Sequence, residues 1–343
     1  MRVGMYYNND DVRVEETPAP KIGPGEALVK VMASGICGSD VMEWYRAQKA
    51  PLVLGHEIAG EVVEVGDGVT TCKVGDRISA SHHVPCNVCH FCVSGHATVC
   101  DTLRTTDFDP GGFAEYLRMP AINVDRGVYH LPDEVSYEEG TFTEPLACVL
   151  RGQRLAWLKP GQSVLVVGSG ISGTLHIAAA RAMGAGRIFA TDVSEYRLNG
   201  AEKFGADRAI PAGEYSPEML RELNDGLLAD KVFICSGADS AIDQALRSVE
   251  RGGTVLFFAA ARKDSGIALG INEIFWRNEI TLTSSYAGNR ADHLQALELI
   301  RARQIPVKQM ITHRLPLDEI GLGFKLVAQA DKSIKVIIEP HRS

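Results

Sequence analysis

Four of the eight cysteines lie within fifteen residues, in the segment CNVCHFCVSGHATVC. They follow the spacing C-x2-C-x2-C-x7-C, which is compatible with a disulfide knot, an iron–sulfur cluster or a tetrahedral zinc site. Four thiolates fill every position around a tetrahedral zinc, so such a site is closed to substrate and stabilises the fold. We predict a structural zinc in this lobe, residues 86–100, and an iron–sulfur cluster stays as the open alternative. The predicted ligands are Cys86, Cys89, Cys92 and Cys100.

A second pattern, VLVVGSGISGTLHIAAARAMGA, runs from an apolar strand through G-x-G-x-x-G into a helical segment. Gly168 permits the tight turn, Gly170 lets a pyrophosphate approach the backbone, and Gly173 lets helix and strand pack closely. The following N–H groups, from Ile171 and Ser172 onward, lie at the helix N-terminus, where they can bind phosphate. The pattern therefore predicts a dinucleotide site.

The carboxylate expected to hold the adenosine ribose is Asp192, which ends the next strand, RIFATD, twenty-four residues after Gly168. The alternative is that Asp192 only caps a turn or a helix. A carboxylate at this point repels a 2′-phosphate, so the sequence favours NAD over NADP. The nearby Arg197 keeps some NADP use open.

Scattered residues in the first half could hold a second metal. Cys37 lies in SGICGSD, His56 and Glu57 lie in LGHE, and Glu144 lies in FTEPL. Cysteine, histidine and glutamate are residue types that can bind a metal. Their spacing alone does not decide, because Cys37 could equally be a core residue.

The surrounding elements divide the chain into two halves. Short alternating apolar segments between residues 25 and 80, such as ALVKVMA and AGEVVEVG, indicate strands and turns, so we expect an all-β first half. Beyond residue 146, apolar strands alternate with helical patterns, which predicts a parallel sheet covered on both faces. A length of 343 residues fits two domains.

Composition excludes several classes of partner. Hydrophobic residues make up 45% and charged residues 23%, and the net charge is −8. That balance gives no electrostatic reason to expect nucleic acid or an anionic membrane surface. The sequence has no apolar run of eighteen residues and no N-terminal signal pattern, so we expect a cytoplasmic protein. In a reducing compartment clustered cysteines are more often metal ligands, which disfavours the disulfide knot.

Taken together and in order, GICGSD, GHE, the cysteine lobe, EPL and the glycine loop resemble the zinc-dependent medium-chain alcohol dehydrogenases. The similarity is greatest to the sorbitol and threonine dehydrogenase branches and extends from about Gly25 to Pro340. It implies an α/β protein with a GroES-like β-rich catalytic domain over residues 1–148, which contains the lobe. A Rossmann domain is expected over 149–286, and a segment over 287–343 is expected to return to the first domain. The resemblance also implies a homodimer or homotetramer.

The same resemblance implies residue roles. Cys37 and His56 match catalytic zinc ligands, while Glu57 and Glu144 match carboxylates of which either could bind zinc directly. Asp40 matches the carboxylate that receives the histidine N–H. Ser39 matches the hydroxyl that contacts the substrate oxygen.

The implied activity is hydride transfer between a secondary alcohol, such as a polyol or sugar alcohol, and NAD, with two zinc ions per chain. Zinc would lower the pKa of the substrate hydroxyl, and the carbinol carbon would give hydride to the cofactor. A threonine 3-dehydrogenase-like or vicinal diol dehydrogenase is the alternative enzyme. A zinc-ribbon interaction module with a dinucleotide-sensing domain is the alternative from another class.

Two departures from the family pattern stand out. Met42 occupies the position where the family usually has a histidine that passes the proton to solvent, and methionine cannot titrate. The segment between Cys37 and His56 is short, and we expect its Arg46 and Lys49 to be surface charges. His82, His83, His90 and His96, around the lobe, are expected to be solvated loop residues.

Overall fold

The computed structural model describes residues 1–330 and 332–342. They form two compact units. Unit 1 comprises Met1–Ala147 and Ala287–Ser343, and unit 2 comprises Cys148–Tyr286.

Strands are numbered along the whole chain. They are β1 (Arg2–Asn8), β2 (Asp11–Glu16), β3 (Ala27–Gly35), β4 (Leu52–Val53), β5 (Glu57–Val65), β6 (Arg77–Ala80), β7 (Tyr116–Met119), β8 (Val128–His130), β9 (Val164–Val167), β10 (Ile188–Asp192), β11 (Arg208–Pro211), β12 (Ala229–Ile234), β13 (Val249–Phe257), β14 (Thr281–Ser284), β15 (Ile311–Pro316) and β16 (Lys335–Glu339).

Helices are numbered in the same way. They are α1 (Glu43–Arg46), α2 (His90–Val93), α3 (Asp101–Thr105), α4 (Ala121–Arg126), α5 (Tyr137–Gly140), α6 (Thr143–Leu155), α7 (Ile171–Ala182), α8 (Glu195–Lys203), α9 (Pro217–Leu223), α10 (Asp239–Arg247), α11 (Ile271–Ile274), α12 (Arg290–Arg301) and α13 (Ile320–Gln329). Short 3-10 helices cover Ala47–Lys49, Ala97–Val99, Val307–Met310 and Leu317–Glu319.

The larger sheet of unit 1 has the strand order β15-β16-β3-β5-β6-β8, with β7 paired to β3. Strands β3 and β5 are antiparallel, and their register places Gly35 opposite Glu57. The end of β3 and the start of β5 are therefore adjacent, which brings the turn after β3 close to His56. The last strand, β16, pairs with β3 at the same end, with Ile337 opposite Gly35.

Unit 2 contains one sheet among its described residues, in the order β11-β10-β9-β12-β13-β14. Every neighbouring pair in it is parallel. The central strand β9, VLVV, is buried at all four positions, as expected for a strand covered on both faces. This is the doubly wound order of a Rossmann fold, with its first strand beside its fourth.

The predicted fold class, α/β with a β-rich GroES-like part and a Rossmann part, is therefore correct. The expectation of an all-β first half is wrong in detail, because helices α1 to α5 interrupt it. Several are only four to six residues long, and such short helices leave too little periodicity to recognise in sequence. Within the described part of the chain, none of the helices has both the length and the apolar character needed to cross a bilayer.

Candidate metal and cofactor sites

The four cysteines of the lobe converge on one point. Their Sγ atoms all lie within 4.8 Å of one another. The Sγ atom of Cys92 is 3.5 Å from that of Cys89 and 3.9 Å from that of Cys86, and the Sγ atoms of Cys86 and Cys100 are 3.6 Å apart. Four Zn–S bonds of about 2.3 Å in a regular tetrahedron give edges of about 3.8 Å. The spacing fits four thiolates around one metal ion.

Backbone N–H groups of the lobe point at these sulfur atoms. The N–H of Cys89 donates to Sγ of Cys86 at 3.3 Å, and the N–H of Cys86 lies 3.5 Å from Sγ of Cys100. Hydrogen bonds from the N–H groups of Val88 and Cys89 lower the pKa of the Cys86 thiol. These bonds favour the thiolate form of Cys86 that a metal requires, whereas burial raises the pKa of Cys92 to about 12 while no metal is bound.

A second group of metal-binding side chains lies where β3 and β5 meet. The donor atoms of Cys37, His56 and Glu57 are all within 4.8 Å of one another. Cys37 lies two residues beyond the end of β3, His56 immediately precedes β5, and Glu57 is the first residue of β5. The strand register thus brings together residues that are nineteen positions apart in sequence.

Asp40 organises this group from a fully buried position. Its Oδ2 accepts the N–H of Cys37 at 3.0 Å, and its Oδ1 lies 3.4 Å from Nδ1 of His56. Nδ1 faces the carboxylate, so Nε2 is left for a metal. Burial alone would raise the pKa of Asp40, but the positive charge of His56 and of Arg46 outweighs burial and lowers it.

The protonation of His56 is coupled to metal binding. Burial disfavours the charged ring, yet Asp40 and Cys37 outweigh burial and raise the pKa of His56 well above its usual value. Only a neutral imidazole binds metal, so a bound metal would compete with the proton that these neighbours favour.

Glu57 has a second partner, Lys335, at the first position of β16. The two side chains form an ion pair, each only 1% exposed. Lys335 Nζ also donates to the carbonyl of Ile36 at 3.2 Å. A Cβ atom on Gly35 would lie 2.6 Å from Cε of Lys335, so glycine at this position leaves room for the pair. The sequence interpretation missed Lys335, although a lysine in the otherwise apolar strand IKVIIEP was a usable signal.

Glu144 and Ser39 occupy different places relative to this group. Glu144 lies in the first turn of α6 and is 8% exposed, but it does not join the three residues whose donor atoms converge. Ser39 lies in the turn after β3, where its N–H is 3.5 Å from Sγ of Cys37. Of the two glutamates, Glu57 is thus the one beside Cys37 and His56.

Two expectations about charged and polar residues near this group are wrong. The side chain of Arg46 is only 17% exposed, and it donates hydrogen bonds to Ser39 instead of extending into solvent. His82 is buried, with its ring centroid 4.7 Å from that of His56, and burial lowers its pKa well below the usual value. His83 donates a hydrogen bond from Nδ1 to the carbonyl oxygen of Thr106 at 2.8 Å, and burial lowers its pKa to about 4.

The sequence could not place these residues, because each contact involves partners from a separate segment. His90 and His96 are exposed, as expected, although His90 begins helix α2 and does not lie in a loop.

The glycine loop of unit 2 joins β9 to α7. Gly168 has a φ of +94°, which favours glycine. A Cβ atom on Gly173 would lie 1.9 Å from the carbonyl oxygen of Gly168, so only glycine permits this approach of helix and strand. Helix α7 begins at Ile171, followed by Ser172, and the N–H groups of a first helical turn lack intrahelical acceptors. The loop therefore has the features that pyrophosphate binding requires.

Asp192 ends β10 beside this loop. Its Oδ2 accepts the N–H of Ser169 at 2.7 Å, and its Oδ1 accepts the N–H of Ser194 at 2.9 Å. These bonds fix the carboxylate at the carboxyl end of the strand, where a ribose is held in folds of this type. Arg197 approaches the same loop, with Cζ 3.5 Å from the position of a Cβ on Gly170.

The donor sets fit the groups that the sequence implied. Four thiolates at tetrahedral spacing fit a closed zinc site, and a thiolate, an imidazole and a carboxylate fit a zinc site with one open position. The glycine loop, the start of α7 and Asp192 fit a dinucleotide.

Comparison with known proteins gives the same result over nearly the whole chain. Residues 23–133 match the family described as "Alcohol dehydrogenase GroES-like domain", and residues 172–302 match "Zinc-binding dehydrogenase". The protein named "Probable D-xylulose reductase A" of Aspergillus clavatus is 34% identical, over 95% of this chain and 93% of its own length. Sorbitol dehydrogenase of Ovis aries is 32% identical, over 96% of both chains.

A solved structure agrees with these relatives. The 2R,3R-butanediol dehydrogenase from Bacillus subtilis superposes with a TM-score of 0.86 at 28% identity, covering 99% of each chain. The chain therefore belongs to the zinc-dependent medium-chain alcohol dehydrogenase family, in the branch of the sorbitol dehydrogenases.

Proposed function

We propose that this protein oxidises a secondary alcohol of a polyol to a ketone, with NAD as the hydride acceptor. The reaction would take place at a zinc held by Cys37, His56 and Glu57. The observation that carries this proposal is the convergence of those three donors beside a buried Asp40 and the Ser39 hydroxyl. Three protein donors leave one position for a substrate oxygen, as a catalytic site requires.

When bound, zinc supplies a Lewis acid that lowers the pKa of a substrate hydroxyl, and NAD supplies the acceptor for hydride. The side chains of this protein supply orientation and charge. Asp40 holds His56 with Nδ1 turned away from the metal position. Lys335 forms an ion pair with Glu57, each side chain only 1% exposed, and so balances the charge of that carboxylate. Ser39 would accept a hydrogen bond from the substrate hydroxyl.

Glu144 is proposed as an alternate or water-mediated ligand. Its burial, at 8% exposure, is compatible with a role inside the protein, and its absence from the convergent set favours Glu57 as the direct ligand.

The proposed cofactor site comprises the loop and the strand end described above. Asp192 supports NAD over NADP, because a 2′-phosphate would meet a carboxylate that two N–H groups hold in place. Arg197 could reduce this preference for NAD, because Cζ of its positively charged guanidinium lies 3.5 Å from the position of a Cβ atom on Gly170. The residues assigned to the site are Gly168, Gly170, Ile171, Ser172, Gly173, Asp192 and Arg197.

The substrate class follows from the relatives. Proteins named for sorbitol and D-xylulose match this chain over nearly all of its length, and both compounds carry adjacent hydroxyl groups on a chain of carbons. A vicinal diol is the second candidate, since the solved 2R,3R-butanediol dehydrogenase shares the fold.

A homodimer or homotetramer is proposed for the assembly. Strand β14 is an edge of the parallel sheet, and the segment before it exposes the apolar side chains of Ile271, Phe275 and Trp276. Exposed apolar clusters of this kind often mark subunit contacts. A cytoplasmic location stays a prediction from the sequence.

A panel assay tests the proposed function. The purified, zinc-loaded protein is mixed with NAD and with polyols, diols, hydroxy-amino acids or simple alcohols, and NADH formation is followed by absorbance. The expected result is turnover with a polyol and a strong preference for NAD over NADP. Turnover only with a hydroxy-amino acid would replace the proposed substrate class, and no turnover with any alcohol would reject the function.

A further inference from the structure

Arg46 forms an unusual contact beside the proposed zinc site. Its Nε donates to the carbonyl of Ser39 at 3.0 Å, and its Nη2 donates to the Ser39 hydroxyl oxygen at 3.3 Å. The same Nη2 lies 3.7 Å from Oδ1 of Asp40. One guanidinium therefore contacts both the hydroxyl and the carboxylate that orients His56.

The side chain of Arg46 is held in this position from two sides. Its guanidinium carbon lies 5.0 Å from the centroid of the Tyr45 ring, which is a favourable distance for a cation–π contact. Asp40 is fully buried, so the positive charge of Arg46 offsets a carboxylate that has no access to water. These contacts explain why an arginine in a short helix folds back over the turn after β3.

The hydrogen-bonding capacity of a hydroxyl determines what this contact does. A serine hydroxyl offers one donor proton and two acceptor lone pairs. Arg46 is a donor and occupies one lone pair of Ser39, so the proton and the other lone pair are left for a substrate. Arginine cannot accept a proton at working pH, and neither can Met42. Arg46 therefore fixes the hydroxyl but does not take its proton.

We propose that Arg46 is a positioning residue for the proposed reaction. It holds the Ser39 hydroxyl in one rotamer, with a lone pair directed to the substrate oxygen. This inference rests on the proposed function, because Ser39 is assigned there to the substrate oxygen.

The first test is a double-mutant cycle with Ser39→Ala and Arg46→Met. If Arg46 acts through Ser39, Arg46→Met alone lowers kcat about tenfold to a hundredfold, the range of a lost charge-assisted hydrogen bond. KM changes much less than kcat, because the contact serves orientation. In the Ser39→Ala background, Arg46→Met then has little further effect. Arg46→Lys, which keeps the charge and one donor, recovers part of the loss.

Lys49→Met is the matched control. Lys49 lies 4.6 Å from the same Tyr45 ring and 3.3 Å from its hydroxyl, without a contact to Ser39. Its replacement removes a positive charge from the same segment, so kcat should stay within about twofold of the wild-type value.

A crystal structure of Arg46→Met provides a readout that does not depend on turnover. The expected result is a Ser39 side chain that leaves its original rotamer or occupies several. The inference is overturned if Arg46→Met lowers kcat by the same factor in the wild-type and the Ser39→Ala backgrounds. An unchanged Ser39 rotamer in Arg46→Met would also overturn it. If the wild-type protein oxidises no alcohol, the proposed function fails, and the Ser39 rotamer still decides whether Arg46 positions the hydroxyl.

Discussion

Glu57 and Lys335 are the most deeply buried charged pair beside the proposed zinc site. Two charges taken out of water are costly, and their attraction offsets that cost only while both partners are present. The pair also joins the last strand of the chain, β16, to the first residue of β5. A stability test can therefore isolate its role.

Replacing Lys335 with methionine leaves the Glu57 charge buried without its partner. Loss of one member of a buried ion pair costs about 3–5 kcal/mol, so the urea midpoint of Lys335→Met should fall sharply, as measured by circular dichroism. The double variant Lys335→Met/Glu57→Gln should recover most of that loss, because no unpaired charge remains.

Lys231→Met is the control for this experiment. Lys231 is also buried, but its Nζ donates to the hydroxyl of Thr254 at 2.9 Å, so its replacement should cost only about 1 kcal/mol. Equal losses for the two lysine variants would show that the ion pair has no special role.

At the scale of single residues, the sequence predicted the donors together with Asp40 and Ser39, but it missed two other groups around them. Cys37, His56 and Glu57 were recognisable from short motifs. The roles of Lys335 and Arg46 were not, because strand pairing and a folded-back side chain bring them to the site. The lysine in the apolar strand IKVIIEP indicates a buried charge but does not identify its partner.

At the scale of elements, the junction of β9 and α7 depends on two glycines for different reasons. Gly173→Ala places a methyl group against the Gly168 carbonyl, and such overpacking costs about 1–3 kcal/mol. Gly170→Ala meets only Arg197, at an ordinary contact distance of 3.5 Å, but puts a methyl group where pyrophosphate approaches the backbone. We expect Gly173→Ala to lower both stability and NADH affinity, and Gly170→Ala to lower affinity alone.

NADH fluorescence titration and urea unfolding together check this difference. Gly213→Ala is the control, since a Cβ there has no neighbour within 4 Å, and neither quantity should change. The assignment of the loop to NAD is wrong if Gly170→Ala binds NADH as tightly as the wild-type protein does.

The cysteine lobe is an element with too little apolar core of its own. Its helix α2 has four residues, none of them buried, so we expect the metal to supply its stability. Cys89→Ser should lose one zinc per chain and lower solubility or assembly before it changes the chemical step. Metal analysis, gel filtration and single-turnover kinetics measure these effects. A soluble, fully assembled variant with a selectively lost hydride step would contradict this role.

Strands and helices of unit 2 could be predicted from the sequence where a strand forms a continuous run of buried apolar residues. The buried runs of β9, β10 and β12 and the helices between them follow the expected alternation. Strands β11 and β14 have no clear sequence pattern, because each has four residues, of which one is buried in β11 and none in β14.

At the scale of the whole molecule, buried histidines make stability depend on pH. His176 in unit 2 is fully buried, with its ring beside Phe233 and Phe258, and burial lowers its pKa to about 3. The folded state keeps this ring neutral, while the unfolded chain protonates it near pH 6.5. Below that pH the unfolded state binds more protons, so stability falls as the pH falls from 6.5 towards 3.

Between pH 6.5 and pH 5, protonation of this one group in the unfolded chain should lower the free energy of unfolding by about 2 kcal/mol. Glutamine does not titrate, so the free energy of unfolding of His176→Gln should fall less over the same pH interval. The unfolding of unit 2 in urea measures this difference. Identical pH dependence in the two proteins would mean that the pKa of His176 is the same in the folded and the unfolded state.

The central claim is that the chemistry belongs to Cys37, His56 and Glu57, while the four-cysteine lobe stabilises the fold. The most direct measurement is the zinc content of the wild-type protein and of Cys37→Ser, combined with NADH formation from a polyol. We expect two zinc ions per chain and turnover for the wild type, and one zinc ion, an intact assembly and no turnover for Cys37→Ser. A wild-type protein with one zinc and no turnover, or a Cys37→Ser variant that keeps both zinc ions and its activity, would disprove this division of roles.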